Sequence, residues 1–309
     1  MGWCRRADRS AGVIVGLWAI FTVLAAGGQA LRNALQRNLT KTLGTVGATH
    51  VRFLYGLPFG LLFLSVVLYF SGEPVPAIGA KTWPWIFAGA LTQICGTALL
   101  LAAMKDRSFV VTTAYSKTEP VLVALFGLAV LGDQLTVFLA LAIVIATIGV
   151  VVMSWPQAAQ RDAFRWRPVL YGLGAAAMLG ASAVGFRGAI QSLASGSFVV
   201  RASTILAIGL SIQTVLLSGY LLVRDRETLL AIFRAWRPSI RAGFMGAFAS
   251  QMWFLAFALE TAAKVRTLAL VEIVFAQLIS RQLFNQSLAS REGLGILLII
   301  AGIVLLLNQ

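Results

Sequence analysis

Charge is what this sequence has least of. Of its 309 residues only 12% are Asp, Glu, Lys or Arg, about half the ~25% of soluble domains, which excludes an ordinary soluble protein. Histidine occurs once and cysteine twice. Cys4 in the N-terminal tail and Cys95 in mid-span offer neither a disulfide framework nor a metal-ligand spacing. With His50 at an interface and no HExxH or GxSxG pattern, an intramembrane hydrolase has no nucleophile, base or metal to work with. The chain is therefore expected to be no enzyme and to use no cofactor or metal. Acids are scarcer still, 11 against 25 Lys and Arg, for a formal net charge of +14. That excess alone would suggest nucleic acid, but none is expected as a partner, because the basic residues lie between apolar spans and build no face with interleaved aromatics. They read as topology determinants and contacts to lipid headgroups.

What the chain does have is apolar length: 59% hydrophobic residues and a mean hydropathy of +0.86. Runs of about 20 apolar residues are long enough to cross a bilayer as helices. About ten are present, at 11–31, 49–70, 83–104, 109–131, 135–155, 169–190, 198–223, 242–259, 265–284 and 293–307. The expected fold is all-α, a multi-pass protein of the cell membrane with the lipid bilayer as its surroundings. The longest connections, 156–168 and 224–241, are Arg-rich.

The chain also repeats itself. An offset of 153 pairs Glu119 with Glu272, Gly149 with Gly302 and Ala103 with Ala256. An offset of 155 pairs Arg32 with Arg187, and one of 149 pairs Arg52 with Arg201. Residues 1–156 and 157–309 are thus expected to be two five-helix repeats. The first apolar run, preceded by Arg5, Arg6 and Arg9, has the form of a signal peptide, but its counterpart in the sixth span argues that it is retained. Five is odd, so the two halves must lie inverted across the membrane. Inverted repeats are typical of secondary transporters, with the substrate site near the midplane where the repeats meet.

Polar residues in mid-span are the candidate site, because a charge at the bilayer centre costs about 2.5–3.5 kcal/mol and normally faces a cavity or a partner. Glu119 and Glu272 would flank a shared cavity, either as carriers of protons coupled to transport or as carboxylates locked in structural pairs with Lys117 or an Arg. Pro120, in the same run, removes a backbone donor and would free the carbonyl of Ser116. Lys117, two positions from Glu119, points to a different face and would meet Glu272 across the cavity or bind a substrate carboxylate. Tyr115 lies one turn before Glu119. Gln93, Gln251 and Trp253 complete a small polar set, although mid-membrane amides also fasten helices together. Arg52 and Arg201, near helix starts, and Arg32 and Arg187, near helix ends, are expected at the interfaces, snorkelling to headgroups or forming gate ion pairs. Gly12 and Gly16 form a small-xxx-small pattern that suits internal packing, so a monomer or weak homodimer is expected.

Several of these segments resemble the drug/metabolite transporter superfamily, specifically its EamA-like 5+5 exporters. The residues that carry the resemblance are Val51-Arg52-Phe53, the Pro120 segment, Leu131-Gly132-Asp133-Gln134-Leu135, and the glycine near the end of the fifth span. The second half keeps Arg201 and Gly302 and departs at Asn285-Gln286 and Ile273. The resemblance implies an alternating-access transporter that exports a small-molecule substrate, a small polar metabolite, across the bacterial inner membrane. Both signs of charge at the midplane suit a zwitterion such as an amino acid, with protons as the coupling ion. A multidrug or organic-cation exporter of the same fold, or a channel, is the alternative. Six Lys and Arg fall on the side of the termini and fourteen on the other, which puts both termini outside by the positive-inside rule. The resemblance implies cytoplasmic termini instead.

Overall fold

The computed structural model describes residues 2–103, 116–153, 166–273 and 290–308. Among them all regular structure is helical. The helices are α1 (Gly2–Leu54), α2 (Leu57–Ser71), α3 (Thr82–Ala103), α4 (Glu119–Phe126), α5 (Val137–Met153), α6 (Trp166–Gln191), α7 (Phe198–Arg224), α8 (Arg226–Arg234), α9 (Trp236–Leu259), α10 (Ala262–Leu268) and α11 (Ser290–Leu307). The segments Thr82–Ala102, Leu170–Gln191, Phe198–Arg224 and Trp236–Leu259 are each long and apolar enough to cross a membrane, as is Gly16–Ser71, while Glu119–Leu131, Val137–Val152 and Gly293–Leu307 are shorter apolar helices. The chain is a polytopic, all-helical membrane protein.

The first two spans join differently from the expected loop at 32–48. Helix continues through that stretch and reverses at Gly44, whose φ of 69° and ψ of −179° suit a residue without Cβ. The reversal is sharp enough for the Gln36 side-chain amide to donate to the Ala48 carbonyl at 2.8 Å. Twelve residues of straight helix would hold those groups about 18 Å apart. The second span is then interrupted at Tyr55–Gly56 and restarts with Pro58 in its first turn, where the missing N–H is no loss.

A further departure is α8, lying inside the expected connection 224–241. Asp225 caps it, accepting from Thr228 N at 3.0 Å and Thr228 Oγ1 at 2.7 Å. These bonds hold the Asp225 carboxyl below its ordinary value of 3.8. A depressed folded pKa means the cap is fully present above the unfolded value and is lost as pH falls through the folded one. Amide protection at Thr228 and Leu229, followed by hydrogen exchange, is expected to fall below about pH 4 and to be low at every pH in Asp225→Ala; equal protection at pH 3 and pH 7 would refute this role for the cap.

The helices pair as α1 with α9, α3 with α6, α5 with α11 and α2 with α7. Glycines permit the closest of these contacts. A Cβ on Gly149 of α5 would lie 2.7 Å from the Gly295 carbonyl oxygen and 2.8 Å from Ile299 N, both on α11. A Cβ on Gly302 of α11 would lie 2.8 Å from the Ala142 oxygen and 2.9 Å from Ala146 N on α5. Lipid tails are as apolar as the side chains, so such helices associate by close packing of small residues rather than by exclusion from water. The main core gathers Phe53, Ile86, Phe186, Ile205, Phe254 and Phe257 around the centre of the bundle.

Candidate functional site

Two interrupted helices bring the site together. In the first half a break at Lys117–Thr118 precedes α4, so Pro120 stands in the first turn of a new helix and costs no intrahelical bond. The expected freeing of a mid-helix carbonyl by Pro120 is therefore corrected: the helix is already open there, and the Thr118 carbonyl accepts from Val121 N at 3.1 Å. In the second half α10 ends at Leu268, and the chain tightens through i→i+3 bonds, Leu270 N to Thr267 O at 3.2 Å and Glu272 N to Ala269 O at 3.0 Å, the pattern of a 3₁₀ turn. This second break forms without a proline, Ile273 standing where the first has Pro120.

Beside the two breaks lies a cavity lined by Gln29, Lys117, Glu119, Pro120, Arg266, Ala269, Leu270 and Glu272. Its volume is about 20 Å³, room for about one water. Four charges meet on its wall in two crossed pairs. Lys117 Nζ lies 3.0 Å from Glu272 Oε2, and Arg266 Nε lies 3.1 Å from Glu119 Oε1. The second pair is the more buried, with side chains 9% and 11% exposed. Its Nε–H is not aligned on the carboxylate, so the attraction is chiefly that of opposite charges. The Arg266 guanidinium also stacks over Trp253, 4.2 Å from the ring centroid, and over Phe257 at 5.4 Å. Trp253 is held in turn by its indole N–H, which donates to Gln29 Oε1 at 3.2 Å. Arg266 and Gln29 were not among the residues singled out from sequence. Arg266 stands at the start of the apolar run 265–284, where a cation reads as a headgroup contact, and only the break after Leu268 turns it inward.

The other expected site residues are distributed as follows. Gln93 and Gln251 do not line the cavity. Gln93 Oε1 accepts from Gln213 Nε2 at 2.8 Å, fastening α3 to α7, and Gln251 Nε2 donates to Ser203 Oγ at 2.9 Å, fastening α9 to α7. Tyr115 lies outside the described residues. Arg32 and Arg52 are not at the interfaces but inside the bundle, 4% and 3% exposed. The reason is the path of α1. Arg32 is in mid-helix because α1 runs on to the Gly44 turn, and Arg52 is two turns beyond that reversal rather than at a helix start. Arg52 donates from Nη1 to Thr97 Oγ1 at 2.9 Å and from Nη2 to Ser250 Oγ at 3.3 Å, linking α3 and α9. Arg32 donates to its neighbour Asn33, Nη2 to Oδ1 at 2.7 Å.

Arg187 is also buried, and it ends in an ion pair. Its Nη1 reaches both Asp133 carboxylate oxygens, Oδ2 at 2.6 Å, while Nε donates to the Glu260 carbonyl at 3.1 Å. Asp133 is aimed by a π-helical turn at Gly127–Leu131, closed by Gly132 with φ 69°. The cluster ties the ends of α6 and α9 to the turn after α4. Only Arg201, in the first turn of α7, remains part-exposed. His50 is fully buried, its Nε2 3.0 Å from Ser218 Oγ, and so does not adjoin an interface.

Helices broken beside a charged mid-span cavity recur in helical membrane transporters. The model of the EamA-like transporter family matches residues 16–155, so that segment is similar to a family of membrane transporters. No curated protein matches the chain. A crystal structure of a protein 14% identical covers 95% of each chain with a TM-score of 0.69, and at that identity the likeness shows the fold alone.

Proposed function

We propose that the protein is a secondary transporter working by alternating access between two inverted repeats, 1–156 and 157–309, and that it exports a small polar metabolite such as an amino acid across the bacterial inner membrane. The crossed ion pairs at the two helix breaks carry this reading. Each break sets an acid on the cavity wall, and each acid is met by a cation from the other break's segment. Such pairs hold the central space closed while it is empty, and a zwitterionic substrate brings the opposite charges needed to replace them. Reciprocal packing of Gly149 and Gly302 supports the repeat, because the residues each one meets differ by the same offset of 153 that separates Glu119 from Glu272.

Glu119 and Glu272 are the proposed coupling groups. In this state both face cations, so either takes up a proton only after its pair has opened, which ties proton loading to the conformational cycle. In proteoliposomes, counterflow of labelled amino acids is expected to saturate and to respond to a pH gradient. Glu119→Gln and Glu272→Gln are expected to remove that response while the purified variants still elute as monodisperse protein. A full response in both variants would refute the proton role, and ohmic current without counterflow would indicate a channel. Lys117→Met separates substrates: loss of amino-acid flux supports the zwitterion, whereas retained or enhanced efflux of organic cations supports a multidrug exporter.

A further inference from the structure

The charges around the cavity do not balance. Among the described residues, Lys117, Arg266, Arg32 and Arg52 are the cations there and Glu119 and Glu272 the anions. Arg32 lies within electrostatic reach of Glu272, Arg266 and Glu119, and Arg52 within reach of Arg32 and Arg266. Both acids are already engaged, by Lys117 and Arg266. Arg32 and Arg52 are left with neutral partners, Asn33 for one and Thr97 and Ser250 for the other. Among the described residues, Arg32 Nη1 and Arg52 Nε have no hydrogen-bond partner although both atoms are fully buried. The two stems converge on one spot of α9: a Cβ on Gly246 would lie 3.0 Å from Arg52 Cγ and 3.5 Å from Arg32 Cδ.

The repeat explains why one of these cations stands without an acid. Arg187, the counterpart of Arg32 at the offset of 155, is neutralised by Asp133. The offset of 153 carries Asp133 to position 286, and there the sequence has glutamine. The acid that answers this arginine in one half is absent from the other half's sequence. A buried guanidinium without an anion is unfavourable, and arginine's planar fork matches carboxylate and phosphate in two-point contact.

We infer that Arg32 and Arg52 form an anion-binding site beside the cavity, and that the substrate is a small organic acid carrying a carboxylate or phosphate held by this pair. The inference rests on the transporter reading, and it narrows the substrate to a solute with more negative than positive charge. Glutamate fits, as does a dicarboxylate or a phosphate monoester; an organic cation does not. The driving geometry is two buried arginines whose stems meet at Gly246, each with one donor that has no hydrogen-bond partner, beside two acids already paired with other cations.

The test uses the purified full chain in detergent. Its apparent thermal midpoint is followed against succinate, glutamate and inorganic phosphate, with chloride, choline and lysine at matched ionic strength. At least one of the three anions is expected to raise the midpoint saturably. Arg32→Gln is expected to require about tenfold or more of that anion for the same shift, and Arg32→Lys, which keeps the charge without the fork, a concentration between the two. Arg52→Gln is expected to behave like Arg32→Gln; if it fails to fold because Thr97 and Ser250 lose their donor, the Arg32 pair of variants still decides. Absence of saturable stabilisation by all three anions overturns the inference, as does a response unchanged in Arg32→Gln. Binding and transport fail separately. Anion stabilisation with no saturable flux in proteoliposomes would leave this site standing and sink the transporter reading, while saturable flux of cations with no anion stabilisation would do the reverse.

Discussion

Arg266→Gln is expected to be among the most destabilising single changes in the protein, and Glu119→Gln on top of it to restore much of the loss. Removing one partner of a buried ion pair leaves the other charge uncompensated and costs about 3–5 kcal/mol in well-buried cases. The Glu119 and Arg266 side chains are nearly sealed from solvent, 11% and 9% exposed, so little screening tempers that figure. Glutamine also gives up the stacking of a cation over Trp253 and Phe257, worth about 2 kcal/mol when desolvated. The double variant replaces both charges by amides of similar shape, and a neutral pair is tolerated where a lone charge is not. Arg266→Lys should fall between wild type and Arg266→Gln, because it keeps the charge and loses the planar face over the indole. The apparent thermal midpoint in detergent reads wild type and all four variants, Glu119→Gln alone included. If the losses of Arg266→Gln and Glu119→Gln simply add in the double variant, the two side chains do not act as a pair.

One member of that pair was legible in the sequence and the other was not. Glu119 and Glu272 stood out because carboxylates are rare in mid-span, and they lie 153 positions apart, the offset that also separates Gly149 from Gly302. The fold class followed from apolar length alone. What spacing could not supply was the course of the backbone where it departs from straight helix. Gly44 lies in a polar stretch that reads as a loop, and its helical continuation on both sides is what carries Arg32 and Arg52 from the membrane surface into the bundle. The break before Glu272 has no proline to announce it, so Arg266 kept the appearance of a surface cation. Asp133 was visible in a motif, yet its partner Arg187 lies 54 residues away, and only the π-helical turn at Gly127–Leu131 aims one at the other. Gln93 and Gln251 were polar in mid-span for the plainer reason, to fasten helices to α7.

Gly149→Ala and Gly302→Ala are each expected to loosen the α5–α11 pair, and leucine at either position to separate it. A methyl group added at Gly149 meets backbone atoms of Gly295 and Ile299 at 2.7 and 2.8 Å, and one at Gly302 meets those of Ala142 and Ala146 at 2.8 and 2.9 Å. Side chains can rotate away from such an intrusion, but backbone in a helix moves only with the whole helix. Overpacking of this kind costs about 1–3 kcal/mol for small additions. It is opposed by the gain of about 1 kcal/mol that alanine brings over glycine within a helix, so alanine reports the difference and leucine the clash. Gly219 in α7 provides the control, because nothing lies within 4 Å of its Cβ position; Gly219→Ala is expected to be neutral or stabilising. The measurements are the thermal midpoint in detergent and the yield of monodisperse protein. Matching losses at Gly149 and Gly302 would follow from a contact that is the same on both sides, whereas an effect at one glycine with none at the other would show that α5 and α11 do not meet reciprocally.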